Sequence, residues 1–145
     1  MTGISGGGGT SYAPQLLSHQ TGVSYTPSTA NTWANMGTSV TVPRNGIVKI
    51  ILMGHISSSS YSASFQFTLK RGTTTYVVQD EDKVTSFNSS SQTSSTFISL
   101  SRYSYGISSL VLELPLLAND VLQLQGTVSS AGNTVYADDL VVILQ

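Results

Sequence analysis

Leu110-Val111-Leu112-Glu113-Leu114-Pro115-Leu116-Leu117-Ala118-Asn119-Asp120-Val121-Leu122-Gln123-Leu124-Gln125-Gly126, followed by Thr134 to Gln145, decides the fold of this 145-residue chain. It reads as strand, tight connection, alternating strand, glycine-bearing turn and a final apolar strand. Val121, Leu122 and Leu124 against Gln123 and Gln125 give the largely alternating pattern of a half-buried strand. Leu140 to Leu144 is an unbroken apolar run. Such a run fits a strand covered on both faces, by the core or by an oligomer interface.

Working outward, Thr21 to Thr26 reads as a short first strand ended by Pro27. Thr38 to Val42 alternates, with Val40 and Val42 on one face. Pro43-Arg44-Asn45-Gly46 is a turn, because Pro fixes φ and Asn-Gly tolerates positive φ. Ile47 to Met53 returns as a β-branched strand, so Thr38 to Ile56 reads as a hairpin. Tyr61 to Lys70 is a strand with Phe65, Phe67 and Leu69 on one face. Arg71-Gly72-Thr73 turns into Thr75 to Gln79. Ser86 to Ser95 is a low-complexity Ser/Asn/Gln loop, and Thr96 to Ser101 alternates again. No segment has helical periodicity. About eight or nine short strands at this spacing predict an all-β sandwich or jelly roll.

The first residues, Met1 to Ser11, include Gly6, Gly7, Gly8 and Gly9 in one run. Such a run cannot offset its ordering entropy by burial, so residues 1–17 are expected to form a flexible N-terminal arm ahead of a domain over 18–145. The arm would order only against a neighbouring subunit, with Tyr12, Leu16 and Leu17 as anchors. It has neither the basic start nor the apolar core of a secretory signal. No apolar run reaches the roughly 18 residues of a membrane-spanning helix.

Charged residues make up 9% of the chain, against roughly 25% in typical soluble domains. Ser and Thr replace them, which gives a hydroxyl-rich and nearly neutral surface. The six Lys and Arg are scattered singly, which argues against nucleic acid as a partner. Seven carboxylates leave few groups whose protonation would unfold the chain. A net charge of −1 gives little protection against self-association. Cysteine is absent, so there is no disulfide framework.

No motif assembles a catalytic centre. His19 and His55 lack nearby ligands at zinc spacing, and no nucleophile elbow of the G-x-S-x-G kind occurs. His19 reads as a solvated arm residue and His55 as a strand end. Asp80, Glu81 and Asp82, or Asp138 and Asp139 with Asp120, are oxygen-ligand candidates for Ca²⁺. Adjacent aspartates in a strand, however, should point to opposite faces. No cofactor or metal is expected, and no enzymatic activity. Asn88-Ser89-Ser90 matches the N-glycosylation pattern. Trp33, the only Trp, and Tyr61, Tyr103, Tyr105 and Tyr136 are either core and rim fillers or stacking platforms for a sugar or protein.

Three segments carry a resemblance. Val40-Thr41-Val42-Pro43-Arg44-Asn45-Gly46-Ile47-Val48-Lys49-Ile50 resembles the early strand, Pro-x-x-Gly and aliphatic strand of the tumour necrosis factor and complement-head family. That family includes viral and phage knob domains. Leu114 to Leu124 resembles its Leu-x-x-Gly-Asp-x-Val-x-Leu segment, with Asn119 in place of Gly. Thr134 to Leu144 resembles its closing strand, with Asp138-Asp139 in place of a small residue and Phe. The resemblance implies a single jelly-roll β-sandwich of about eight strands that packs apolar sheet faces around a three-fold axis. Related viral jelly rolls form pentamers.

The expectation is a structural virion protein: a penton, spike, turret or decoration subunit that acts by homo-oligomeric assembly. Its partners would be its own copies, as a homo-trimer or homo-pentamer, and other capsid proteins. Its location would be the extracellular particle. Val141, Val142 and Ile143, with the arm from Gly6 to Leu17, are the candidate assembly residues. The alternative is a carbohydrate- or receptor-binding knob, contacting a glycan or host receptor through Trp33, Tyr61, Tyr103 and Tyr105.

Overall fold

A computed structural model describes residues 13–58, 60–78, 87–88, 98–100 and 108–145. They form β1 (Gln15–Tyr25), β2 (Ala34–Thr41), β3 (Gly46–Ile56), β4 (Ala63–Arg71), β5 (Thr74–Val78), β6 (Phe87–Asn88), β7 (Ile98–Leu100), β8 (Ser108–Leu116), β9 (Val121–Val128) and β10 (Val135–Leu144). No helix occurs among the described residues. One sheet has the order β1-β10-β3-β8. The other runs β2-β9-β4-β5-β6, with β7 also paired to β4. All pairings are antiparallel. From β1 to β4, and again from β8 to β10, successive strands change sheet. This is the two-sheet jelly roll expected from the sequence.

Alternation explains the core. Phe65, Phe67 and Leu69 of β4 face Val48, Ile50 and Leu52 of β3 across the sandwich, and all six are buried. Leu112, Leu114 and Leu116 of β8 and Leu140, Val142 and Leu144 of β10 complete the packing. Each such side chain stabilises the fold by about 1.5–3 kcal/mol over an exposed position. Gly54 lets the second sheet approach: a Cβ there would lie 2.5 Å from the Phe65 ring. Pro115 sits on β8, an edge strand, where its missing N–H costs no ladder bond.

Two sequence expectations change. Thr38 to Ile56 is not a hairpin, because β2 pairs with β9 while β3 pairs with β10 and β8. The Pro43–Gly46 turn therefore crosses between sheets. The first strand also starts earlier, at Gln15, so Leu16 and Leu17 lie within β1. By contrast, Arg71-Gly72-Thr73 does close a true hairpin, β4 to β5, with Gly72 at φ 62°.

The turn after β8 repeats the crossover at the same end. Asn119 has φ 72°, a conformation open to Gly and, among other residues, best to Asn. Asp120 is 1% exposed and takes the Leu117 N–H at 2.8 Å. Its two oxygens accept from Arg71 Nε at 2.9 Å and Nη2 at 2.7 Å. Burial disfavours the Asp120 charge. The Arg71 guanidinium and the Leu117 N–H outweigh it and hold the carboxyl below the ordinary aspartate range.

Candidate assembly surface

The outward face of the four-stranded sheet is built from β3 and β10, its two central strands. Both are apolar on their inward positions and on part of their outward ones. In β10, Leu140, Val142 and Leu144 enter the core while Val141 and Ile143 face out, half-buried. In β3, Ile51 and Met53 face out between the buried Ile50, Leu52 and Gly54. The registers set these residues in rows. Val141 lies between His19 of β1 and Ile51, and Ile51 lies opposite Val111 of β8. Ile143 lies between Leu16 and Lys49, with Glu113 beyond. Leu16 is 60%, Val111 49% and Ile47 40% exposed. The result is an apolar cluster of Val141, Ile51 and Val111, with Leu16 and Ile143 beside it and Lys49 and Glu113 in the adjoining row.

Charges flank that cluster. His19 Nε2 lies 2.5 Å from Asp139 Oδ1, and His55 Nδ1 lies 2.6 Å from Asp138 Oδ2. His55 also stacks on Tyr136, ring centroids 4.5 Å apart and nearly coplanar. Adjacent Asp138 and Asp139 thus share one face, against the expectation of opposite faces. A β-bulge is the reason: the register with β3 slips between Ala137 and Asp139, which leaves Asp138 as the extra residue. His19 is likewise a paired residue within β1, not a solvated arm residue.

The predicted site residues divide as follows. Val141 and Ile143 meet on the outward face. Val142 is 1% exposed in the core, so it is withdrawn from the assembly set. Leu16 extends the band, and Leu17 packs against the core. Gly6, Gly7, Gly8, Gly9 and Tyr12 lie outside the described residues, as do Tyr103 and Tyr105. Tyr61 is a core residue whose hydroxyl donates to Thr134 O at 2.6 Å and accepts from Ser57 N. It offers no stacking face. Trp33 is half-buried just before β2. The Ca²⁺ candidates do not converge: Asp120 is held by Arg71, Asp138 by His55 and Asp139 by His19. Asp80, Glu81 and Asp82 lie outside the described residues. Among the described residues, no three His, Cys, Asp or Glu side chains group to hold a metal.

Sequence pattern alone did not single out Ile51, the register partner of Val141, or its neighbours Met53 and Val111. The signal was available in β3, where Ile47 to Met53 contains apolar residues on both alternating faces.

No family model matches the chain, and no curated protein sequence matches it. Among solved structures it is similar to the CBM22-1 xylan-binding domain of Xyn10C from Paenibacillus barcinonensis. That likeness has 14% identity and a TM-score of 0.50, and it covers 93% of this chain and 97% of the other. The chain is also similar to one in the structure of infectious bursal disease virus, Gt strain. There the identity is 12% and the TM-score 0.51, over 92% of this chain and 32% of the other. At such identities the likeness shows the fold, a jelly-roll β-sandwich. No helix of the described residues is long and apolar enough to cross a membrane.

Proposed function

We propose that this protein is a non-enzymatic structural subunit that self-associates through the outward face of its four-stranded sheet. Its place is in a virus particle, as a penton, spike, turret or decoration subunit. The observation that carries this reading is the band Val141–Ile51–Val111, extended by Ile143, Met53, Ile47 and Leu16. An apolar cluster bordered by His–Asp pairs and by Lys49 and Glu113 has the anatomy of an oligomer interface, with an apolar centre and a polar rim. The low charge adds support, since little repulsion opposes contact between copies. Likeness to the viral chain supplies a fold suited to that role and no more.

Sedimentation velocity over a concentration series tests the reading. A discrete trimer or pentamer is expected. A monomer at every concentration would overturn it. The second reading, a carbohydrate- or receptor-binding knob built on Trp33 and the tyrosines, loses Tyr61 to the core.

A further inference from the structure

The outward face of the other sheet is polar, and it holds a shallow basin of about 230 Å³. Its walls come from three neighbouring strands and the β4–β5 hairpin. Gln123 and Gln125 of β9 project outward between the buried Leu122 and Leu124. Thr68 and Lys70 of β4 alternate in the same way with Phe67 and Leu69. Asn35 of β2 and Thr75 of β5 close the two sides.

An amide relay lies under the basin. Gln66 Nε2 donates to Gln125 Oε1, and Gln125 Nε2 donates to Asn35 Oδ1, each at 2.9 Å. The relay runs one way, so it ends on the Asn35 side-chain N–H₂ as a donor. Gln123 spends both N–H groups on backbone carbonyls, Met36 O and Leu124 O at 2.9 Å each. Its carbonyl oxygen remains as an acceptor. Lys70 is exposed and has no ion-pair partner among the described residues. Among the described residues, no carboxylate lines the basin. The nearest acidic residue in sequence, Asp120, is committed to Arg71.

A basin with one ammonium unpaired among the described residues, an amide donor, hydroxyls and an amide acceptor matches a ligand that is anionic at one end and hydroxylated elsewhere. We propose that it binds a carboxylate-bearing sugar ring. Lys70 takes the carboxylate, while Asn35 Nδ2 and Gln123 Oε1 take ring hydroxyls as donor and acceptor. Val121 gives the ring's C–H face an apolar contact. This site lies on the sheet opposite the assembly band and does not depend on the oligomer reading. It also uses none of Trp33, Tyr61, Tyr103 or Tyr105.

Backbone amide chemical shifts of the full chain, titrated with glucuronate, glucose, acetate and inorganic phosphate, test the proposal. Millimolar glucuronate should shift Asn35, Lys70, Thr75 and Gln123 in a saturable way, and glucose and acetate should each bind at least about tenfold more weakly. Lys70→Gln should weaken glucuronate by about tenfold and Lys70→Arg should retain it. Lys70 is exposed, so neither change threatens the fold. The proposal is overturned by any of three results: no saturable shift, shifts centred elsewhere, or a Lys70→Gln variant that binds glucuronate as before. Phosphate or acetate binding as well as glucuronate would also overturn it, because the basin would then be a simple anion site.

Discussion

Outward positions of the central strands in one sheet include Ile51, Met53, Val141 and Ile143, beside Lys49 and His55; in the other they include Gln66, Thr68, Gln123 and Gln125, beside Lys70 and Val121. The inward positions of the same strands are alike in character, Leu, Ile, Val and Phe with small residues at Gly54, Ala63, Gly126 and Ala137. Core packing therefore dictates one face of each sheet and leaves the other open. The polar outward positions of the second sheet include buried Gln66, Thr68 and Gln125, whereas the apolar outward positions of the first are half-buried or exposed. The contrast extends to the side-chain pairs made by the aspartates. Asp120, at the edge of the polar sheet, is buried against Arg71. The His19–Asp139 and His55–Asp138 pairs rim the apolar band and stay accessible to water.

Two substitutions sharpen that contrast in order of effect. Asp120→Ala should cost the monomer about 2–3 kcal/mol in urea unfolding. It removes a buried charge and orphans the Leu117 N–H, although Arg71, 37% exposed, keeps partial hydration. The pH dependence follows from the lowered Asp120 pKa. Its contribution is present above the ordinary aspartate value of about 4 and is lost as pH falls through the lower folded value. Wild type and Asp120→Ala should therefore converge in stability in acid. Asp139→Asn is the smaller change, at most about 1 kcal/mol in the monomer, because its pair with His19 is screened by water. Equal costs for the two variants would break the distinction between a buried and a rim pair.

Much of the sandwich was legible in the sequence, and the reasons are local. Phe65, Phe67 and Leu69 announce an inward face by alternation alone, and Arg71-Gly72-Thr73 announces a hairpin by turn chemistry. Sheet membership was not legible. A Pro-x-x-Gly turn looks the same whether its strands pair or cross between sheets, and only the long-range partners β9, β10 and β8 decide. The shared face of Asp138 and Asp139 left a trace that was readable. Inward residues fall at Val135 and Ala137, then at Leu140, Val142 and Leu144, a slip of one in the alternation that marks the bulge. The amide relay left none, because Asn35, Gln66 and Gln125 come together only across three strands.

The most direct test compares one charge placed on each outward face, with solution mass read by light scattering. Ile51→Lys puts an ammonium at the centre of the apolar band, and Gln123→Lys puts one at the matching depth of the polar sheet. The account predicts that wild type and Gln123→Lys share one oligomeric mass, while Ile51→Lys falls to a folded monomer. An unchanged mass for Ile51→Lys, or the loss of assembly in Gln123→Lys alone, would contradict it.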